Sequence, residues 1–334
     1  MPLNSFIPGL VDRWFRTGQV IGPEASLRGG PYKDRDAIRP STWFVNAQLG
    51  SDTADGRNPA RPVATIATLI GNGSSSKAKS GDTIFVVGNV REEVTAYNLL
   101  EDITIIGLGN RPRHADRARD YASYAFASVS ADEISGVSWR EASSHGATTP
   151  LLKIRAQGWH IENILFVPPS DAAAIWLDRN ALSDVSEYDA SHATIKGCRF
   201  AAGQNAIDVT DCFNVHIKDN IFHQQTGASI ISTGAGVAQP LAPVIEGNNF
   251  WGNDKHISVA YSRGVIKGNT FGDFTTLAID LTDGGAGGGG NNVVWGNYFF
   301  GTYAAADYVV AAASDEWGGN FNSLSGGVTA ADPA

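Results

Sequence analysis

Two cysteines, Cys198 and Cys212, are all that this chain of 334 residues contains. Two thiols are too few for a disulfide scaffold and match no zinc spacing, so both are read as half-buried side chains. Basic charge is also short. The 25 Lys and Arg against 34 Asp and Glu leave a net charge of −9. That balance argues against nucleic acid as a partner, because neutralising phosphates needs a basic face. No apolar run approaches the roughly 20 residues that span a bilayer, so no membrane partner is expected. The opening MPLNSFIPGLVDRWFRTG has no basic n-region and no continuous apolar stretch, and is not read as a secretory signal. The histidines form no H-x-x-x-H pair or triad-like constellation, and neither a metal site nor a cofactor is expected.

Glycine, by contrast, is plentiful, with 38 residues, which points to many tight turns rather than a helical bundle. Those turns separate a repeat. Six segments align: HIENILF, TIKGCRF, HIKDNIF, VIEGNNF, VIKGNTF and VVWGNYF. Each places an aliphatic residue five positions before a phenylalanine. The aliphatics are Ile161, Ile195, Ile217, Ile245, Ile266 and Val294; the phenylalanines are Phe166, Phe200, Phe222, Phe250, Phe271 and Phe299. Their intervals of 34, 22, 28, 21 and 28 residues suit the coils of a parallel β-helix, stacked about 4.8 Å apart. Stacking predicts an inward aliphatic column, an inward phenylalanine column, and an asparagine column of Asn220, Asn248, Asn269 and Asn297. Stacked amides can hydrogen-bond along such a column, and Asn tolerates a left-handed turn. A second strand follows each phenylalanine, and coil length varies only after it. Long loops at about 178–192, 232–243 and 282–291 therefore emerge at one corner, the side where solenoids often bind.

Residues 43–110 carry a different pattern. A strand is followed by Gly50, Ser51, Asp52, Asp55 and Gly56, then Pro62, Ala64, Thr65 and Ile66, then Gly81, Asp82, Thr83 and Ile84. A short helix at about 62–70 would plug the open end of the solenoid. This order resembles the opening of pectate-lyase-like right-handed β-helix proteins. The resemblance, with the later repeats, covers roughly 43–310. It implies an all-β, single-stranded right-handed parallel β-helix with a short N-terminal capping helix. It says little about activity, because that fold carries lyases, hydrolases, viral tailspikes and inert spikes alike.

Catalysis on such a surface needs outward carboxylates. Asp208, Asp211, Asp280 and Asp283 are the candidates, the aspartates of a repeated A-I-D-x-T-D. Asp208 and Asp280 stand three coils apart, about 14 Å, whereas glycosidase pairs want roughly 5–9.5 Å. The acids of the 178–192 loop, Asp178, Asp184, Glu187 and Asp189, join a site only if that loop folds back. A basic cluster, Arg111, Arg113, His114, Arg117 and Arg119, interrupts the rhythm and is read as a solvated loop or a subunit contact.

Three regions follow: an extended arm over 1–42, the β-helix over 43–310, and a polar cap or tail over 311–334. The arm holds spaced apolar anchors, Phe6, Ile7, Leu10, Trp14, Phe15, Tyr32 and Ile38, suited to a strap lying on a partner. The repeats also look like the β-helix proteins common in tailed-phage genomes. The expectation is therefore a virion-surface structural protein, a capsid decoration, spike or tail fibre. It would dock on other virion proteins through its arm, assemble as a homo-oligomer (most simply a trimer), and bind host glycan. The alternative is a polysaccharide depolymerase, lyase or hydrolase, on the same fold.

Overall fold

The computed structural model describes residues 40–71, 76–96, 99–109, 136–143, 148–179, 189–232, 242–281, 290–300, 309–310, 314–324 and 327–330. The chain winds as a right-handed parallel β-helix with three sheets running along its axis. Sheet I has ten strands, from Thr42–Asn46 to Glu316–Gly318. Sheet II has ten, from Asn89–Arg91 to Gly327–Ala330, and sheet III has eight, from Val94–Thr95 to Val309–Val310.

Each seven-residue repeat is two short strands joined by a turn. In the repeat of Thr194–Lys196 and Arg199–Ala201, the aliphatic lies on sheet I and the phenylalanine on sheet II. Between them sits one residue in the left-handed region: Asn163, Gly197, Asp219, Gly247, Gly268 and Gly296 in the six repeats and Gly319 in the coil after them, with φ between 56° and 65°. Glycine or a short polar residue is needed there, since a Cβ disfavours that conformation. The asparagines themselves lie one position later, outside the left-handed set. Their shared role along the column is hydrogen bonding, while the neighbouring residue takes the turn.

That bonding is continuous. The backbone N–H of Asn220 donates to Oδ1 of Asn248 at 2.9 Å, and the same link joins Asn248 to Asn269 at 2.9 Å. It continues from Asn269 to Asn297 and from Asn297 to Asn320, both at 3.0 Å. Each Nδ2 also donates inward to a sheet I carbonyl, those of Ile195, Ile217, Ile245, Ile266 and Val294 in turn. Every amide of this buried column thus finds partners, which a buried polar group requires.

Apolar columns fill the interior. In sheet I, Trp43, Ile84, Ile105, Ile161, Ile195, Ile217, Ile245, Ile266, Val294 and Trp317 fall in register. In sheet II, Trp139 and the six phenylalanines stack face to face, with centroids 4.7 to 5.7 Å apart. Sheet III contributes Ile175, Ile207, Ile230, Ile257 and Ile279. Cys198 and Cys212 are free and fully buried rather than half-buried. Burial pushes the Cys198 thiol up to about 12.

At the N-terminal end, Val63 bridges to the open side of Val45. One helical turn, Ala67–Ile70, follows, and Ile66, Leu69 and Ile70 are buried in the core. Its free N–H groups are held by Glu92, which accepts from Ile66 at 2.7 Å and Ala67 at 2.9 Å. Asp82 of the Gly-Asp-Thr-Ile run accepts from the Trp43 indole at 2.7 Å and from the Lys79 backbone at 2.9 Å. At the other end, the expected boundary at residue 310 moves. Glu316–Gly318 and Phe321–Leu324 extend sheets I and II in parallel, and Gly327–Ala330 returns antiparallel along the last strand. The polar composition of 311–334 hid these strands because they lie at the end of the solenoid, with less core to cover. The arm over 1–39 and the basic cluster at 111–119 lie outside the described residues.

The stack predicts that Phe250→Ala destabilises the chain by about 3–5 kcal/mol, as truncating a buried aromatic does. Urea unfolding checks this, and a loss below about 1 kcal/mol contradicts full burial. A second expectation concerns His256, which is buried, accepts from the Asn253 amide at 2.9 Å, and packs among Phe250, Phe271 and Phe274. Burial pulls its pKa down to about 3. The folded chain keeps it neutral while the unfolded chain protonates it near 6.5, so its contribution is intact above pH 6.5 and shrinks below. Stability then falls by about 1.4 kcal/mol per pH unit on its account between pH 6 and 4. His256→Gln should flatten that slope; an unchanged slope contradicts a neutral buried imidazole.

Candidate functional site on sheet III

The run LLKIRA alternates, burying Leu152 and Ile154 and turning Lys153 and Arg155 to the outer face of sheet III. The next strand, Ala173–Leu177, sets Trp176 beside Lys153 in register, and Asn205–Val209 sets Asp208 beside Trp176. Parallel stacking therefore gathers residues from three coils into one polar cluster.

Its contacts are specific. The Lys153 ammonium lies 3.4 Å from the Trp176 ring centroid, a cation–π contact, and 3.0 Å from Asp178 Oδ2. Arg155 Nε donates to the same oxygen at 2.9 Å. Both cations grip Oδ2, so Oδ1 carries neither. The Trp176 indole donates to Thr210 Oγ1 at 3.0 Å, and the Thr210 hydroxyl donates to Asp208 Oδ1 at 3.3 Å. Burial draws the Lys153 pKa down, with Asp178 opposing.

Asp211 follows Thr210 with φ at 51°, in the left-handed region. Burial pushes its pKa up; Arg179 opposes this and Asp178 adds to it. Its Oδ1 is buried with no hydrogen-bond partner. A carboxyl group so placed favours its proton. Asp178 and Asp211 thus sit on neighbouring coils, one neutralised by two cations and the other desolvated.

Sequence reasoning had divided these acids differently. Asp208 and Asp280 are indeed separated by the register Asp208, Ile231, Ser258, Asp280, three steps along the sheet. Asp280 is engaged by Lys255 at 3.3 Å. Asp283 lies outside the described residues, as do 180–188, 233–241 and 282–289 of the three long loops. Asp178, grouped with loop acids, sits directly on the sheet after Leu177 and needs no loop to fold back. Lys153 and Arg155 were missed altogether. The alternating K-I-R signal was present, but it lies outside the six-fold repeat, between the basic cluster that interrupts the rhythm and the first of the repeats. Among the described residues no group of three or more His, Cys, Asp or Glu is arranged to hold a metal ion.

A family model described as a right handed beta helix region matches residues 178–316. No curated protein matches the chain. Solved structures similar to it include an alginate lyase of the PL6 family, at 13% identity and TM-score 0.33, with 72% of this chain and 38% of that one covered. Another is a mannuronic acid specific polysaccharide family 6 lyase from human gut microbiota, at 14% identity and TM-score 0.41, covering 78% and 54%. A third is an alginate lyase from Paenibacillus sp. str. FPU-7, at 14% identity and TM-score 0.40, covering 84% and 95%. The chain thus spans well under two thirds of the first two enzymes.

Proposed function

We propose that this chain is a carbohydrate-active β-helix that hydrolyses glycosidic bonds on the outer face of sheet III. The observation that carries the reading is the Asp178–Asp211 pair. Two carboxyl groups stand on adjacent coils, one ion-paired to Lys153 and Arg155 and the other with a pKa raised by burial, an arrangement that suits divided acid and base roles. Asp211, desolvated and with a raised pKa, is the group that protonates the leaving oxygen. Asp178, its charge fixed by Lys153 and Arg155 through one oxygen, turns the other to a water on the opposite face of the sugar: it takes the water proton as the water oxygen bonds to the anomeric carbon, while the glycosidic C–O bond breaks and its oxygen takes the Asp211 proton. Trp176 and Thr210 line the approach and hold Asp208 in place.

A structural role on a virion surface, attached through residues 1–42 and assembled as a trimer, is the competing reading. It rests on Phe6, Ile7, Leu10, Trp14, Phe15, Tyr32 and Ile38, all outside the described residues. No feature of sheet III favours it, whereas a desolvated aspartate beside an ion-paired one favours catalysis.

The test is a panel of neutral and acidic bacterial polysaccharides, assayed for new reducing ends and for unsaturated ends. Hydrolysis predicts reducing ends without unsaturation on at least one polymer. Asp211→Asn should slow it by about 100-fold or more while shifting the melting temperature little, since its buried Oδ1 has no hydrogen bond to lose and the amide keeps the side-chain shape. A variant as active as the parent chain, or a panel left intact, contradicts the proposal. Unsaturated products would move the assignment from hydrolase to lyase.

A further inference from the structure

A second surface, on the corner between sheets I and II, carries a different kind of site. Trp295 is the most exposed tryptophan among the described residues, at 59%. It continues the outward column of sheet I after Glu246 and Lys267, and its partner in the next coil is Gly318. The indole spans Gly318 and Gly319: a methyl group on Gly318 would overlap the ring, and one on Gly319 would come within 3.2 Å of it. The two glycines therefore let the ring lie against the backbone with its outer face open.

Beside this ring runs a shallow groove, wide open to solvent, of about 420 Å³. Its floor is the left-handed turn column at Gly247, Gly268 and Gly296, where no side chain rises. Asp219, Glu246 and Lys267 supply the polar wall, the last two paired at 2.9 Å. The groove follows the helix axis over three coil steps, about 14 Å.

We propose that this groove is a carbohydrate-binding site for a linear neutral glycan, separate from the sheet III face and independent of whether that face cleaves. The flat open indole suits the C–H face of a pyranose ring, since an aromatic platform gains both area and orientation. Carboxylates and an ammonium along the wall suit hydroxyl groups, which donate and accept. The coil spacing of about 4.8 Å is close to one sugar unit of an extended chain, so successive units meet equivalent turns. Charge selects among glycans. Asp219 and Glu246 are balanced by Lys267 and by Lys218, which is in register with Glu246 and helps to draw its pKa down, so the groove has no excess positive charge to hold uronate or sulfated chains. Trp251 offers a contrast. It also lies over a glycine, Gly272, but its ring is met by Phe300 at 5.7 Å and is only partly exposed. It is packed, where Trp295 is open.

The experiment uses the full chain carrying Asp211→Asn and Trp176→Ala, so that no sugar is consumed and the sheet III face is disabled. Calorimetric titration with cellohexaose, chitohexaose and mannohexaose tests the neutral class, and a galacturonate hexamer is the charged control. At least one neutral hexamer should saturate a single site. Trp295→Ala should weaken it by about 10-fold, the scale of one aromatic contact. Gly318→Ala keeps the indole but displaces it, and should weaken binding similarly. Leu49→Ala, an exposed residue outside both sites, should leave it unchanged. The proposal is overturned if no neutral hexamer binds, if affinity survives Trp295→Ala, or if the galacturonate hexamer binds more tightly. Binding without any cleavage by the parent chain would count against the sheet III reading alone.

Discussion

From residue 160 onward the structure depends on one constraint, the turn that joins sheet I to sheet II in each of those coils. That turn must be the same each time, because the coils share one axis and one spacing. A residue in the left-handed region bends the chain, and the asparagine after it hydrogen-bonds its counterpart in the next coil. The two needs fall on adjacent residues, so Gly-Asn recurs as a pair. Where Asp219 replaces glycine, φ is still 56°. Where Cys198 replaces asparagine, the ladder ends, with the cysteine N–H donating to Asn220 and no amide passing the link on.

Fixing this turn fixes everything beyond it. Aliphatic side chains of sheet I must superpose, and so must the phenylalanines of sheet II. In the coils from residue 160 onward, variation in length is left to the corner after sheet III. The outer face of sheet III can then bring Lys153, Trp176 and Asp208 together, although they are far apart in sequence. A parallel sheet serves here as a device for placing chemistry: each coil supplies one position, and the register decides the neighbours.

The repeat was legible because its physical demands fall on fixed offsets: five residues from aliphatic to phenylalanine, two from that phenylalanine back to asparagine. The capping run was legible too, since Asp82 and the Thr65–Ile66 turn have local bonding duties. The site was far less so. Lys153 meets Asp178 only after a coil whose length no periodicity gives, and the raised pKa of Asp211 comes from burial, which a sequence does not print. The aromatic face of Trp295 had the same difficulty. Its exposure follows from Gly318, a residue 23 positions later that reads as an ordinary turn glycine.

Both surfaces use what the fold provides cheaply, a straight row of equivalent positions. On sheet III the row is interrupted by charges of opposite sign, and at the corner it is smooth and closed by an aromatic ring. The account rests most heavily on the division of roles between Asp178 and Asp211. Carbon-13 NMR titration of the aspartate carboxyl groups, with Asp211 assigned through the Asp211→Asn variant, measures it directly. The account predicts that the Asp211 carboxyl titrates above the ordinary aspartate value of 3.8, and that it shifts back toward that value when Asp178 is replaced by asparagine. An Asp211 carboxyl that titrates at or below the ordinary value would contradict the account.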